Sequence, residues 1–141
     1  MDLILDSSVL IAEERRGRNA RQALSEIATH APGVDVAISV ITLIELAHGA
    51  ARTNTLERKT SRREFINELI IALPVYPITT SVALRAGQID GANASNGVHL
   101  PLSDLLIAVT ALELDYQVAT ANVRHFQMVS GLGIISFGSR G

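Results

Sequence analysis

Cysteine and tryptophan are absent from the 141 residues, and Lys59 is the one lysine. Without cysteine there are no disulfides, no thiol nucleophile and no thiolate zinc or iron–sulfur site. Charge is scarce: 18% of residues are charged and the net charge is −2, so nucleic-acid binding would need a local basic patch. No apolar run approaches the roughly 18 residues that span a bilayer. The first strand begins too soon after Met1 to leave room for a secretory leader. These absences point to a soluble, cytoplasmic protein with no membrane partner. Low-complexity segments and internal repeats are missing too, and 48% hydrophobic residues supply a real core, so one domain over 1–141 is expected. The glycines make neither G-x-G-x-x-G nor a Walker A loop. There is no G-x-S-x-G elbow to make a nucleophile of Ser7 or Ser8 with His48 or His125. His30, His48, His99 and His125 lack metal-ligand spacing and are expected on the surface or at caps.

What is present starts with Leu3-Ile4-Leu5-Asp6-Ser7-Ser8. An apolar run without alternation reads as a strand buried on both faces, the mark of a parallel sheet. Ligands of such sheets lie beyond the carboxyl ends of the strands, where Asp6 sits. Ser7 or Ser8 is expected to cap the helix that follows, and Asp6 is either a helix cap itself or a functional acid. Further strands are expected over 36–38, 74–78, 116–120 and 134–136, with 74–78 at a sheet edge because Pro74 and Pro77 flank it. Helices are expected over 8–15, ending at Gly17, and over 18–29, 39–51, 61–73, 82–90 and 102–112. A helical turn follows at 123–126, a loop covers 91–100, and 138–141 is a frayed tail. In helix 61–73, Phe65, Ile66, Leu69, Ile70 and Leu73 point inward, while Arg62 lies on a mixed, solvated face. The alternation of strands and helices argues for a parallel sheet covered on both faces.

Three acids stand in apolar settings. Asp6 ends a strand. Glu45 is the only formally charged side chain of 39–51, where an ionised carboxylate needs a partner or a path to solvent. Asp104 lies in the first turn of 102–112 behind a Ser103 cap, where the helix dipole favours a negative charge. Asn122 follows the strand end at Thr120. Glu113 and Asp115, near a helix C-terminus, read as exposed and not catalytic. A doubly wound sheet brings strand ends and following helix starts to one edge. Clustered carboxylates there make a hard oxygen site, suited to Mg²⁺ or Mn²⁺ more than to Zn²⁺. Such a site can activate water and stabilise an in-line phosphoryl displacement. A phosphoacceptor domain is a competing reading, but it needs a lysine at the pocket, and Lys59 lies on a helix far along the chain.

At these residues the chain resembles PIN-domain proteins, specifically the VapC-type toxin ribonucleases of toxin–antitoxin pairs. Four segments carry the likeness in order: Leu5-Asp6-Ser7-Ser8-Val9-Leu10-Ile11; 39–46 with Gly49; Ser103-Asp104-Leu105-Leu106-Ile107-Ala108; and 120–126 followed by Gly131-Leu132. The resemblance implies a PIN-like (flavodoxin-like) three-layer α/β sandwich with four or five parallel strands in the order 3-2-1-4-5. It implies a Mg²⁺- or Mn²⁺-dependent endoribonuclease that cleaves tRNA- or rRNA-class RNA. Asp6 and Asp104 would bind metal, with Glu45 completing the site directly or through water. Asn122 takes the fourth acidic position, which is Asp in many PIN domains. Ser7, Arg15 and Arg124 are candidate substrate contacts, as are the rest of the Arg15-Arg16-Gly17-Arg18 cluster and Arg52. A homodimer and a cognate antitoxin are the implied partners; an antitoxin arginine fork would suit the carboxylates. The competing reading within the family is a catalytically inactive RNA- or protein-binding module.

Overall fold

The computed structural model describes residues 2–137; the expected fraying of 138–141 lies outside them. Five strands form one all-parallel sheet: β1 (Leu3–Leu5), β2 (Val36–Ser39), β3 (Val75–Tyr76), β4 (Gln117–Thr120) and β5 (Ile134–Ser136). Their order is β3-β2-β1-β4-β5, as the resemblance implies, with β3 at the edge where its flanking prolines belong. Central β1 pairs Leu3 with both Val36 and Gln117, and Leu5 with Ala119.

Burial on both faces explains the unalternating run of β1. Ile4 enters one hydrophobic cluster, and Leu3 and Leu5 enter the other. The second cluster takes Val9 and Leu10 from α1 (Ser7–Arg15), Ala20, Ala23 and Ile27 from α2 (Ala20–His30), and Phe65 and Leu69 from α4 (Leu56–Ala72). The first takes Val82 and Ala86 from α5 (Thr80–Ser95), most of α6 (Leu102–Leu114), and Phe126 from α7 (Val123–Phe126). Helix α3 (Val40–Arg52) serves both, through Ile41 and Leu46. Among the described residues no helix is long and apolar enough to cross a membrane.

Local chemistry sets most helix ends. Asn19 and Gln22 form a reciprocal capping box on α2. Ser39, Thr55 and Thr79 accept from the free N–H groups of α3, α4 and α5. Gly17, at φ +81°, ends α1 in the left-handed region that glycine enters without strain.

Several boundaries differ from the sequence reading. Neither Ser7 nor Ser8 caps α1; both lie inside it, and Asp6 takes the N-cap position without a side-chain cap bond. Ser103 is likewise inside α6, whose N-cap is Pro101. These hydroxyls are drawn into tertiary hydrogen bonds instead. Helix α5 runs through Gly91 to Ser95, because glycine costs a helix only about 1 kcal/mol and the Val82–Ala86 face is anchored in the core. Helix α4 starts at Leu56, where Thr55 caps it. Ile70 is exposed rather than inward, and Arg62 is largely buried rather than solvated.

Candidate active site

The carboxyl ends of β1 and β4 lie side by side, and the chain places its acids around them. Asp6 follows β1 directly and is buried, at 4% exposure. Its backbone N–H donates to the Ala119 carbonyl of β4 at 2.9 Å, which fixes the residue across the strand gap. Its carboxylate is fixed as well. Ser8 Oγ donates to Asp6 Oδ2 at 2.6 Å, and Thr120 Oγ1 donates to the same oxygen at 2.9 Å. Thr120 also accepts from the Asn122 N–H at 2.8 Å, and Ser8 accepts from the Ala121 N–H at 2.9 Å. Two hydroxyls thus bind the end of β1 to the turn after β4 and leave Asp6 Oδ1 open among the described residues.

Glu45 arrives from α3. That helix is set against β1 by the fully buried Thr42, whose hydroxyl donates to the Leu5 carbonyl at 3.2 Å. Glu45 lies one turn further on, where Ser7 Oγ donates to Glu45 Oε1 at 2.9 Å. Burial pushes the Glu45 carboxyl above its ordinary range. The Ser7 bond draws it back, the charges of Asp6 and Asp104 push it up again, and a Ser103 hydrogen bond lowers it.

Asp104 arrives from the first turn of α6, as expected, although Pro101 and not Ser103 holds the N-cap position. Burial raises its carboxyl; a hydrogen bond from His125 opposes that, and Asp6 adds to it. His125 Nδ1 lies 2.6 Å from Asp104 Oδ2 and 3.0 Å from the Asn122 side-chain amide. An ionised carboxylate only accepts, so Nδ1 carries the proton and donates to Asp104. The Asn122 amide then meets the same N–H best with its oxygen turned toward it.

The three acids expected from the sequence therefore meet, and each repels the others. Asn122 joins them at the exposed rim. His125 was missed, because a histidine in a helical turn carries no spacing signal; its partner comes from another helix. Ser8 reads locally as a cap and Thr120 only as a strand end, so the sequence does not show that both hydroxyls serve Asp6. The arginine cluster divides. Arg16 and Arg18 both bind the buried Glu13, at 2.7 and 2.8 Å. Arg15 is exposed in the last turn of α1, about 12 Å of helix from Ser7. Arg52 is exposed at the end of α3, and Arg124 is exposed on α7 between Asn122 and His125. Glu113 is exposed and pairs with Arg85, and Asp115 is exposed, as expected.

The donor set fits a hard divalent cation: carboxylate oxygens from three elements, with an open oxygen on Asp6 and mutual repulsion for a positive charge to relieve. Among the described residues no three acidic or histidine side chains close on one point as a finished cage. Mg²⁺ does not need one, since it keeps several waters and uses one or two carboxylates beside substrate phosphate.

Comparison with known proteins gives the family. Residues 3–132 match the family model of the PIN domain. Ribonuclease VapC10 of Mycobacterium tuberculosis is 35% identical over 130 residues, covering 92% of this chain and 90% of that protein. The tRNA(fMet)-specific endonuclease VapC of Salmonella typhimurium is 33% identical over 97 residues, 69% of this chain and 71% of that one. The crystal structure of DNA-bound VapBC from Salmonella typhimurium matches with a TM-score of 0.78 at 26% identity, over 96% of this chain and 98% of that one. Fold, acidic edge and sequence together make this chain a member of the PIN-domain family and, within it, of the VapC ribonucleases.

Proposed function

We propose that this chain is a Mg²⁺- or Mn²⁺-dependent endoribonuclease, the toxin of a toxin–antitoxin pair, with RNA of the tRNA or rRNA class as substrate. The observation that carries the reading is the meeting of Asp6, Glu45 and Asp104 at one sheet edge, with Glu45 and Asp104 raised by burial and by neighbouring acids. Three repelling carboxylates are costly to assemble unless a cation or a reacting proton uses them. Asp6 and Asp104 would hold the cation, with Glu45 completing the site directly or through water. When bound, the cation supplies charge neutralisation at the phosphoryl oxygens and makes water more acidic.

The chain's own side chains do the rest. Ser8 and Thr120 orient Asp6, His125 orients Asp104, and Ser7 holds one oxygen of Glu45. The raised Glu45 carboxyl suits it to take a proton as water attacks the phosphodiester. The exposed Asn122 amide and Arg124 guanidinium offer donors to substrate oxygens beside the acids. We extend the proposal to one PIN domain over 1–141, acting in the cytoplasm as a homodimer restrained by a cognate antitoxin. The substrate class has a parallel in the relative named for tRNA(fMet).

The test is to incubate the antitoxin-free protein with total cellular RNA, with Mg²⁺ or with EDTA, and to map new 5′ ends. Discrete metal-dependent cuts are expected. RNA binding without cuts in Mg²⁺ or Mn²⁺ would favour the inactive binding module instead. Replacing His125 by alanine is expected to slow cleavage roughly tenfold by releasing Asp104, with little change in KM for RNA. Equal kcat in His125→Ala would show that the Asp104 contact is incidental.

A further inference from the structure

Two residues near Glu45 remain unexplained by the acidic site: Gly49 on α3 and Arg62 on α4. The Arg62 side chain is only 13% exposed. Its Nε donates to Glu14 Oε2 of α1 at 2.7 Å, and Nη2 pairs with Glu14 Oε1, making a two-pronged fork. Its Nη1 donates to the Leu46 carbonyl of α3 at 2.9 Å. One guanidinium thus ties α1 to α3. The same two helices meet again where Ser7, at the start of α1, donates to Glu45 in the middle of α3.

Gly49 makes the tie possible. A Cβ at position 49 would stand 2.6 Å from Arg62 Nη1, closer than any real contact. The backbone of Gly49 is not left-handed, so what glycine supplies here is room for the guanidinium and not a special conformation. Alanine at 49 would drive the guanidinium off the Leu46 carbonyl, and Leu46 is the residue after Glu45.

We propose that Arg62, passing over Gly49, is the positioning residue that sets Glu45 against Ser7. The inference rests on the reading of Glu45 as part of the active site. Arg62 acts through the α3 backbone and the α1 carboxylate, so its loss is expected in kcat and not in RNA affinity.

The test is a double-mutant cycle of Gly49→Ala and Arg62→Met, with Arg62→Lys and Glu45→Gln alongside. Rates are measured well below the melting temperature of the weakest variant. Gly49→Ala and Arg62→Met are each expected to lower kcat roughly tenfold with KM little changed. The double variant is expected to be no slower than Arg62→Met, because alanine then displaces nothing. Arg62→Lys, the mildest change, keeps the charge but not the fork and is expected to lower kcat in the same direction. Wild-type kcat with only a lower melting temperature would reduce Arg62 to a stability role and overturn the proposal. So would independent, multiplying losses in the double variant. Wild-type cleavage by Glu45→Gln would instead overturn the reading of Glu45. The positioning is then judged from the crystal structure of Gly49→Ala, where a Ser7–Glu45 hydrogen bond of unchanged length would overturn it and a broken one would support it.

Discussion

Asp6→Asn is expected to lower the RNA cleavage rate roughly 10³-fold at saturating Mg²⁺ while leaving the fold in place. That factor corresponds to about 4 kcal/mol of transition-state stabilisation, the order that a correctly held divalent cation contributes. The fold should survive because the amide oxygen of asparagine can still accept from Ser8 and Thr120, and its NH₂ takes the open place of Oδ1. What is lost is the charge, at the point where β1, α1 and β4 converge. Cleavage, melting temperature and RNA binding measured together check this. A variant that melts and binds RNA like the wild type but no longer cuts isolates the chemistry. A variant that still cuts within tenfold of the wild type would remove Asp6 from the centre of the mechanism.

The metal-free protein is expected to become more stable at neutral pH when Glu45 is replaced by glutamine, an unusual sign for a change at a half-buried hydrogen-bonded residue. The Glu45 carboxyl is raised above its ordinary 4.5, and Asp104 above its ordinary 3.8. A carboxyl raised on folding binds protons more tightly in the native state than in the unfolded chain. Its contribution to stability therefore falls as pH rises from the ordinary value through the native one, and is recovered on acidification. Once deprotonated, the two groups are crowded and repel each other. Glu45→Gln keeps an acceptor for Ser7 and removes one of the charges, so a rise of roughly 2–5 °C in melting temperature is expected without metal. The gain should shrink on acidification toward the ordinary glutamate value of 4.5, because the native carboxyl takes up its proton before that value is reached. Mg²⁺ should stabilise the wild type more at pH 7 than at pH 5, and the variant less than the wild type. Melting curves of both proteins with and without Mg²⁺ at the two pH values decide it. A variant destabilised equally at both pH values would mean that repulsion at Glu45 is negligible.

The acids were legible in the sequence because an ionisable residue in an apolar run stands out. Asp6 after Leu3-Ile4-Leu5, Glu45 as the only formally charged side chain of 39–51, and Asp104 in the first turn of a largely buried helix each break a local pattern. The parallel sheet was legible for the same reason, since β1 shows no alternation. Strand order was not: no local pattern says that β1 lies between β2 and β4, and the order came from family resemblance. The supporting polar network was hidden too. Ser7, Ser8 and Ser103 satisfy a capping pattern locally, yet Ser7 and Ser103 bond Glu45 and Ser8 accepts from the Ala121 N–H, partners that reach them only after the sheet has formed. His125 pairs with an aspartate on another helix, and Arg62 with a glutamate on α1. Such pairings depend on where helices cross, which propensity and spacing do not encode.

The most direct measurement is anomalous diffraction from crystals of the wild-type protein soaked in Mn²⁺. A single strong peak bordered by Asp6 and Asp104, with Glu45 at its edge, is the expected result, and it should vanish in Asp6→Asn. Saturating Mn²⁺ that leaves no peak among these carboxylates, in protein that cleaves RNA in the same buffer, would contradict the proposal that they hold the catalytic cation.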